Sequence, residues 1–250
     1  MKERRRPANK ARNLPSRVLV QYWNDSTSIP IDVIQCLDSW LPLEANGFVR
    51  RLFDDVSALR FIERALSRRH VRAFLLCDHP AMRADYFRLC YILQNGGFYV
   101  DADDEYLGHG LDELLSDGRL KLQALCYDIS TQSMVDPYEA GRDGEDQGRI
   151  FYVNNNPLIA PAGHPIIARA LERATGMVLS REEGTRDIQS LTGPGNLTVS
   201  LVEHVLDLCD RDEEADFHLL TTWDAIAVSK WPLMYRSDER NWRNWVHSNG

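Results

Sequence analysis

The stretch RADYFRLCYILQNGGFYVDAD, residues 83–103, decides the fold prediction for this chain of 250 residues. Its first part is typical of a helix, because Tyr86, Leu89 and Leu93 recur at helical spacing. The Asn-Gly-Gly sequence that follows is a strong stop signal, since glycine takes the left-handed conformation that ends helices. Phenylalanine, tyrosine and valine then predict a buried strand. We therefore expect a helix, a tight turn and a core strand whose end carries carboxylates.

Strand and helix patterns alternate on both sides of this stretch. RVLVQYW at residues 17–23 predicts the first strand, and LKLQALCYD at residues 120–128 predicts a later one. Amphipathic spacing at residues 30–42 and 165–179 predicts helices. This alternation indicates an α/β layered fold with a mostly parallel central sheet. Dense aromatic residues in the tail, residues 231–245, indicate that the tail packs onto the body or covers a cleft.

Composition limits the class of protein. A hydrophobic fraction of 44% and a charged fraction of 26% are ordinary for a soluble globular protein. The net charge of -8 argues against a nucleic-acid-binding protein, which would carry a basic footprint. Residues 1–16 are the exception: they are basic and poor in apolar residues, which favours a solvated, disordered lead-in. Because repeats and low-complexity linkers are absent, we expect a single domain over residues 17–250.

Targeting and redox signals favour the cytoplasm. No apolar run approaches the ~20 residues of a membrane span, and no apolar signal-peptide segment follows the basic start. The five cysteines are widely spread without a CxxC pair, which favours reduced core residues over a disulfide or zinc framework. Weak electrostatic contact between the basic start and an anionic membrane is the second interpretation of residues 1–16.

Acidic residues crowd the end of the strand predicted in the opening stretch. If the chain stays extended through Asp103, then Asp101 and Asp103 share one face and lie roughly 7 Å apart. Two carboxylates so placed repel one another unless a cation or hydrogen-bond donors offset them. Oxygen ligands of this kind suit Mg²⁺ or Mn²⁺ held together with a diphosphate. We expect Asp104 and Glu105 to be solvated groups at the strand end.

The residues alone also allow an interpretation in which the acidic cluster has no ligand. A charged strand end balanced by solvent or by arginines is the better explanation of a lone D-x-D, which is a common and weak signal. A calcium loop of the EF-hand type is excluded, because Tyr106 stands where that loop needs glycine for its sharp turn. On the preceding helix Asp85 and Arg88 are i, i+3 neighbours, and such a pair is often a surface ion bridge of a few tenths of a kcal/mol.

The same stretch resembles the pattern of the DXD-containing sugar transferases. That superfamily includes initiating α-1,6-mannosyltransferases, bacterial capsular polysaccharide glycosyltransferases and the catalytic core of glucosylating clostridial toxins. The match lies at Ala81, Asp85, Arg88, Leu93, Gly96, Gly97, Tyr99, Asp101 and Asp103. Weaker similarities extend over most of the chain, in VLVQYW, NNPLIAPAGHP and LTGPGNLT.

The resemblance implies a fold, an activity and a cofactor. The fold is the GT-A type, a Rossmann-like α/β sandwich that binds a nucleotide-sugar at the carboxyl ends of its strands. The activity is that of a metal-dependent hexosyltransferase that retains the anomeric configuration and uses Mn²⁺ or Mg²⁺. The donor is a UDP- or GDP-linked sugar, and we expect a glycan or lipid-linked acceptor in surface-polysaccharide synthesis. A toxin-like effector that glycosylates a protein, or a non-catalytic nucleotide-sugar-binding module, is the alternative.

The resemblance also implies a role for each matching residue. Asp103 would ligate the metal on the diphosphate, with support from Asp101, which would also contact ribose or sugar hydroxyls. Asp85 and Arg88 would hold the hydroxyls of the donor sugar, so these four residues are the expected catalytic set. Trp23 would stack on the base. The remaining expected contacts are Gly97, Tyr99 and Asn156 to the donor and His247 to the metal.

Overall fold

The computed structural model describes residues 14–142, 148–182 and 187–247, with side chains through residue 245. The strands are β1 Val18–Tyr22, β2 Val49–Phe53, β3 Gly97–Tyr99, β4 Asp104–Tyr106, β5 Leu120–Asp128, β6 Ser133–Val135, β7 Arg149–Val153, β8 Leu158–Ala160, β9 Phe217–Leu220 and β10 Ala227–Ser229. The α-helices are α1 Ile31–Ser39, α2 Pro42–Ala45, α3 Asp55–Ala65, α4 Arg68–Leu75, α5 Pro80–Asn95, α6 Pro137–Ala140, α7 Pro165–Ser180, α8 Ile188–Leu191, α9 Pro194–Asp210 and α10 Trp242–His247. Short 3₁₀ turns lie at Glu113–Leu115, Trp223–Ala225 and Met234–Ser237.

One large sheet organises the chain. Its order is β2-β1-β3-β8-β5, and β5 pairs further with β9, β7 and β6. β2 and β3 run parallel to β1, and β9 runs parallel to β5. β8 is antiparallel to both β3 and β5, so those two strands share a direction. Thus β1, β2, β3, β5 and β9 all point the same way, which confirms the predicted mostly parallel α/β sheet.

Apolar side chains cover both faces of the sheet. On β1, Val20 belongs to the larger core cluster and Leu19 to a second one. On β3, Tyr99 and Phe98 divide between the same two clusters. Successive side chains of a strand point to opposite faces, so the two clusters are the two sides of a sandwich. Helices α5, α7 and α9 bury their apolar residues in the larger cluster.

The glycine pair between α5 and β3 brings two backbones close together. Gly96 has φ +63°, and a β-carbon there would lie 2.6 Å from the backbone nitrogen of Ala162. Gly97 has φ +117°, and a β-carbon there would lie 2.9 Å from the carbonyl oxygen of Val18. Only glycine combines these dihedrals with so little space. The predicted stop and strand start are confirmed at residues 95–97.

The acidic stretch after β3 turns instead of staying extended. β3 ends at Tyr99, and the Asp104 N–H donates to the carbonyl oxygen of Asp101 at 3.2 Å, which closes a turn over Ala102 and Asp103. The prediction of an extended chain through Asp103 was therefore wrong. Beyond the turn, β4 leaves the main sheet and pairs with β10. A strand partner more than 120 residues away thus holds the end of the acidic stretch.

The tail packs back onto the body, as the sequence indicated. Trp242 and Trp245 lie against the larger core cluster. The backbone carbonyl of Glu239 lies 2.8 Å from His79 Nε2, at the start of α5. Residues 1–13, most of the predicted lead-in, fall outside the described residues, so the proposed domain limits remain a prediction. Throughout the described part, no helix combines the length and the apolar character needed to cross a membrane. All five cysteines are free thiols; four of them are buried, as expected of core residues, but Cys209 is exposed, so the prediction of a core position was wrong there.

Candidate functional site

A cleft of about 830 Å³ opens where β1 and β3 end. Carboxyl ends of parallel strands meet at one edge of a sheet, which is where ligands bind in open α/β folds. Trp23 follows β1, and Asp101 follows β3. The cleft gathers most of the predicted site residues: Trp23, Asp85, Arg88, Tyr99, Asp101, Asp103 and Asn156 all line it. The surrounding wall includes residues of the tail.

Arg88 is the centre of the polar network in this cleft. Its side chain is 4% exposed, and Nη2 lies 2.9 Å from both Asp85 Oδ1 and Asp101 Oδ1. Nη1 donates to the carbonyl oxygen of Asn155 at 2.8 Å. The guanidinium also lies 4.3 Å from the ring centroid of Tyr99. One buried cation therefore holds a helix carboxylate and a strand-end carboxylate in fixed positions.

Asp85 is buried rather than exposed at the surface of α5. Its Oδ1 accepts a hydrogen bond from Asn155 Nδ2 at 2.8 Å, and Thr192 Oγ1 lies 3.5 Å from Oδ2. Burial raises the pKa of Asp85 to about 6, although the charge of Arg88 opposes that shift. The carboxylate thus lies in the cleft with a defined orientation and a pKa close to neutrality.

Asp101 is fixed through both its side chain and its backbone. Oδ1 accepts from the Tyr99 hydroxyl at 3.2 Å in addition to Arg88, and the Asp101 N–H donates to Asn156 Oδ1 at 3.1 Å. Burial raises the pKa of Asp101, and Arg88 opposes this change. The side chain keeps 32% of its surface exposed, so it can still reach a ligand in the cleft.

Asp103 faces the tail. Tyr235 Oη donates to Asp103 Oδ2 at 2.6 Å, and the guanidinium of Arg236 forms an ion pair with the same oxygen. Lys230 N–H donates to the backbone carbonyl oxygen of Asp103 at 3.0 Å. Neither Tyr235 nor Arg236 was assigned to the site from the sequence. The only signal was the mixture of aromatic and charged residues in the tail.

Asp104 is buried, so the prediction that it is solvated at the strand end was wrong. It is 2% exposed, accepts from Asn156 Nδ2 at 2.8 Å and does not line the cleft. Its Oδ1 is buried without a hydrogen-bond partner among the described residues. Burial, reinforced by Asp103 and Asp101, raises the pKa of Asp104 well above its ordinary value. Glu105 is partly exposed, and its carboxylate pairs with Lys230.

Trp23 lies in the cleft beneath the tail. Its ring is edge-on to the ring of Tyr235, with centroids 5.2 Å apart and planes at 85°. The guanidinium carbon of Arg240 lies 6.0 Å from the Trp23 ring centroid. Trp23 is only 8% exposed, and Tyr235 is one of the residues that pack against it in this conformation.

One predicted contact does not join this group, and the side chain of another lies outside the described residues. Gly97 begins β3, does not line the cleft and lies against the backbone of Val18, so its role in the structure is backbone packing. His247 ends α10, and its side chain lies outside the described residues. Asn155 was not predicted, although it donates to Asp85 and its carbonyl oxygen accepts from Arg88. The run of three asparagines at residues 154–156 was the available signal.

The acidic residues fit a divalent cation that is shared with a ligand. Within the described residues, no group of three or more His, Cys, Asp or Glu side chains is arranged to hold a metal ion. Asp101 and Asp103 nevertheless bring carboxylate oxygens to one cleft. Magnesium and manganese take hard oxygen ligands and commonly use one or two carboxylates plus phosphate oxygens. The donor set therefore suits such a cation only together with a phosphate ligand.

The fold and the cleft define an α/β protein with a ligand-sized cleft at the carboxyl edge of its sheet. Residues 30–120 match the family described as glycosyltransferase sugar-binding region containing DXD motif, which confirms the resemblance inferred from the sequence. This matched region contains Asp85, Arg88, Asp101 and Asp103. No curated protein matches this chain in sequence.

A solved structure supports the fold. The PaToxG glycosyltransferase aligns with a TM-score of 0.52 at 13% identity, over 92% of this chain and 86% of that chain. At this identity the similarity shows the fold alone, and it confirms the predicted GT-A type. The UDP-bound glycosyltransferase domain from the YGT toxin aligns with a TM-score of 0.37 at 11% identity, over 78% of this chain and 56% of that chain.

Proposed function

We propose that this protein is a metal-dependent, retaining hexosyltransferase that uses a UDP- or GDP-linked sugar. The observation that carries the proposal is the convergence of Asp85, Arg88, Asp101 and Asp103 on one cleft at the carboxyl edge of the sheet. Buried ionic networks are costly unless every member is paired, and this one is held in place by Asn155 and Tyr99. Such a fixed set of donors and acceptors suits the recognition of sugar hydroxyls.

Each of these residues has a defined task in the proposed reaction. Asp85 and Arg88 bind the hydroxyls of the donor sugar, and Asp101 binds ribose or sugar hydroxyls. Trp23 stacks on the base once Tyr235 moves off its ring. Asp103, supported by Asp101, would hold Mn²⁺ or Mg²⁺. When bound, that cation offsets the negative charge that develops on the departing diphosphate.

The proposed retention requires front-face attack, because the proposed mechanism has no covalent glycosyl intermediate on a protein nucleophile. The acceptor hydroxyl attacks on the face from which the diphosphate leaves. The bond between the anomeric carbon and the phosphate oxygen breaks, the bond to the acceptor oxygen forms, and the acceptor proton passes to the departing phosphate. In the proposed complex the carboxylates of Asp85 and Asp101 face the positive charge that develops on the sugar, and preorganised charge of this kind stabilises a transition state.

We propose that the acceptor is a glycan or a lipid-linked sugar in surface-polysaccharide synthesis. We also propose that the enzyme is cytoplasmic and makes peripheral contact with the membrane. The support for the membrane contact is charge. The basic lead-in of residues 1–16 is complemented by exposed arginines on α3 and α4, namely Arg60, Arg64, Arg68 and Arg72. Co-sedimentation with vesicles containing phosphatidylserine, compared with neutral vesicles, tests this contact. Transfer of labelled sugar to a protein substrate, and not to glycans or lipids, would favour the effector alternative.

The central experiment is a thermal-shift screen against UDP, GDP and their sugars, with and without Mn²⁺. A ligand that binds only the native state raises the melting temperature by mass action, so the screen identifies the base. Hydrolysis of the matching nucleotide-sugar then tests turnover, and Asp103→Ala should abolish it while circular dichroism stays native. Binding without turnover would identify a non-catalytic module. No stabilisation by any of these ligands, with or without Mn²⁺, would contradict the proposed function.

A further inference from the structure

Two neighbouring tail residues cover both of the positions that the proposed donor would use. Tyr235 lies edge-on to Trp23 and donates to Asp103 Oδ2 at 2.6 Å. Arg236 forms an ion pair with that same oxygen. The base position and the metal position are therefore occupied by residues adjacent in the chain.

The guanidinium of Arg236 is largely buried, and one of its hydrogen-bond donors has no partner among the described residues. Its side chain is 10% exposed, its guanidinium carbon lies 3.9 Å from the ring centroid of Trp231, and Nη2 donates to Ser229 Oγ at 3.0 Å. Its Nε is buried and has no hydrogen-bond partner among the described residues. Buried donors without a partner are rare, and this one lies on a residue that lines the cleft. An anionic oxygen in the cleft would satisfy it.

The backbone beneath Arg236 is anchored. The carbonyl oxygen of Arg236 accepts from Asn241 Nδ2 at 2.8 Å and from Asn244 Nδ2 at 3.1 Å. Met234 N–H donates to Asp32 Oδ2 on α1 at 2.5 Å. Because the main chain is held on both sides of the residue, the side chain can change partner without release of the segment.

We propose that Arg236 is the exchangeable counter-ion of Asp103, and that its guanidinium moves onto a phosphate oxygen of the donor when metal and donor bind. This inference rests on the proposed function. Without donor, the guanidinium neutralises Asp103, so a divalent cation has to displace it. With donor, the diphosphate offers Arg236 a new anionic partner and frees Asp103 for the cation. Metal and nucleotide then strengthen each other's binding by the same factor, as linkage requires.

Manganese binding to the whole protein tests this exchange without any measurement of turnover. Free Mn²⁺ is followed by electron paramagnetic resonance, with and without saturating UDP. We expect Arg236→Gln to bind Mn²⁺ about tenfold more tightly than the wild type when UDP is absent, because one competing charge is removed. We also expect UDP to improve the Mn²⁺ affinity of this variant far less than that of the wild type. Arg236→Lys keeps the charge and should stay close to the wild type without UDP.

Two controls separate the possible failures. Arg119→Gln removes the same charge from a 2.7 Å pair with Asp117, and Arg119 does not line the cleft, so its Mn²⁺ affinity should equal that of the wild type. Asp103→Ala should lose Mn²⁺ binding in both conditions. If Asp103→Ala loses binding but Arg236→Gln matches the wild type in both conditions, the exchange is overturned and the proposed function stands. If the wild type binds no Mn²⁺ even with UDP, the metal-dependent function itself fails, and the exchange fails with it.

Discussion

Arg88 Nη2 lies 2.9 Å from Asp85 Oδ1, and both side chains are almost completely buried on α5. A pair at i, i+3 on an exposed helix is worth a few tenths of a kcal/mol, but a buried pair behaves differently. Removal of one partner leaves an uncompensated charge in the interior, which costs about 3–5 kcal/mol. Breaking this pair is therefore costly for the native fold, and the same pair is a candidate for sugar binding.

Arg88→Lys tests the two roles together. Lysine keeps the charge but cannot reproduce the planar fork that reaches Asp85, Asp101 and the Asn155 carbonyl. We expect turnover of the nucleotide-sugar to fall about 100-fold, which corresponds to about 2.7 kcal/mol in the barrier. Urea denaturation should show a loss of stability smaller than that of Arg88→Ala. Turnover within a factor of two of the wild type would contradict the assigned role of Arg88.

The raised pKa of Asp85 predicts a pH dependence of stability. The native pKa is about 6, above the ordinary value of 3.8, so the native state holds the proton more tightly than the unfolded chain. This group therefore supports stability fully below pH 3.8, and its contribution is lost as the pH rises towards about 6. The difference in unfolding free energy between the wild type and Asp85→Asn, measured from pH 3.5 to 7, should move against the wild type across that window. A flat difference would show that Asp85 ionises as an ordinary carboxylate.

Asp104 and Asp103 are adjacent, yet isosteric substitution should affect them differently. Asn at position 104 can still accept the hydrogen bond from Asn156, and burial already favours a neutral group there. We expect Asp104→Asn to keep Mn²⁺ binding and turnover within about threefold of the wild type, a difference of about 0.7 kcal/mol. Asp103→Asn should lose both. Equal losses in the two variants would mean that Asp104 acts as an ionised ligand.

Gly97→Ala should damage the fold and spare the chemistry. The residue has φ +117°, and a β-carbon would lie 2.9 Å from the Val18 carbonyl oxygen. A non-glycine residue in such a conformation costs about 1–3 kcal/mol before any clash is counted. The melting temperature should drop, while turnover per folded molecule stays unchanged. Gly110→Ala is the matched control, since nothing lies within 4 Å of its added β-carbon. A loss of turnover at full folding would restore the expected donor contact of Gly97.

Local patterns in the sequence were enough to predict the helix, the glycine turn and the strand that lead to the site. Those features depend on residues close together in the chain, and residues 80–99 adopt them as expected. The burial of Asp85 was not apparent, because the same i, i+3 spacing occurs on exposed helices. What buries it is Asn155 and Thr192, which lie 70 and 107 residues further along the chain.

The errors in the acidic stretch have the same origin. Alternation along a strand predicts one face for Asp101 and Asp103, but pairing of β4 with β10 turns the chain out of the main sheet. The position of Asp104 follows from Asn156, 52 residues away, and that of Asp103 from Tyr235 and Arg236, more than 130 residues away. Such distant partners are set by tertiary packing, which residue spacing alone does not encode.

The two-stranded ribbon of β4 and β10 makes residues 227–245 an integral wall of the cleft. Ser229 pairs with Asp104, and the next residue, Lys230, is bonded to Asp103 through its backbone and to Glu105 through its side chain. A protein truncated before residue 227 would lose the strand that pairs with the acidic stretch and the tail residues that line the cleft. Fusion partners and truncations designed for this protein should therefore leave that ribbon whole.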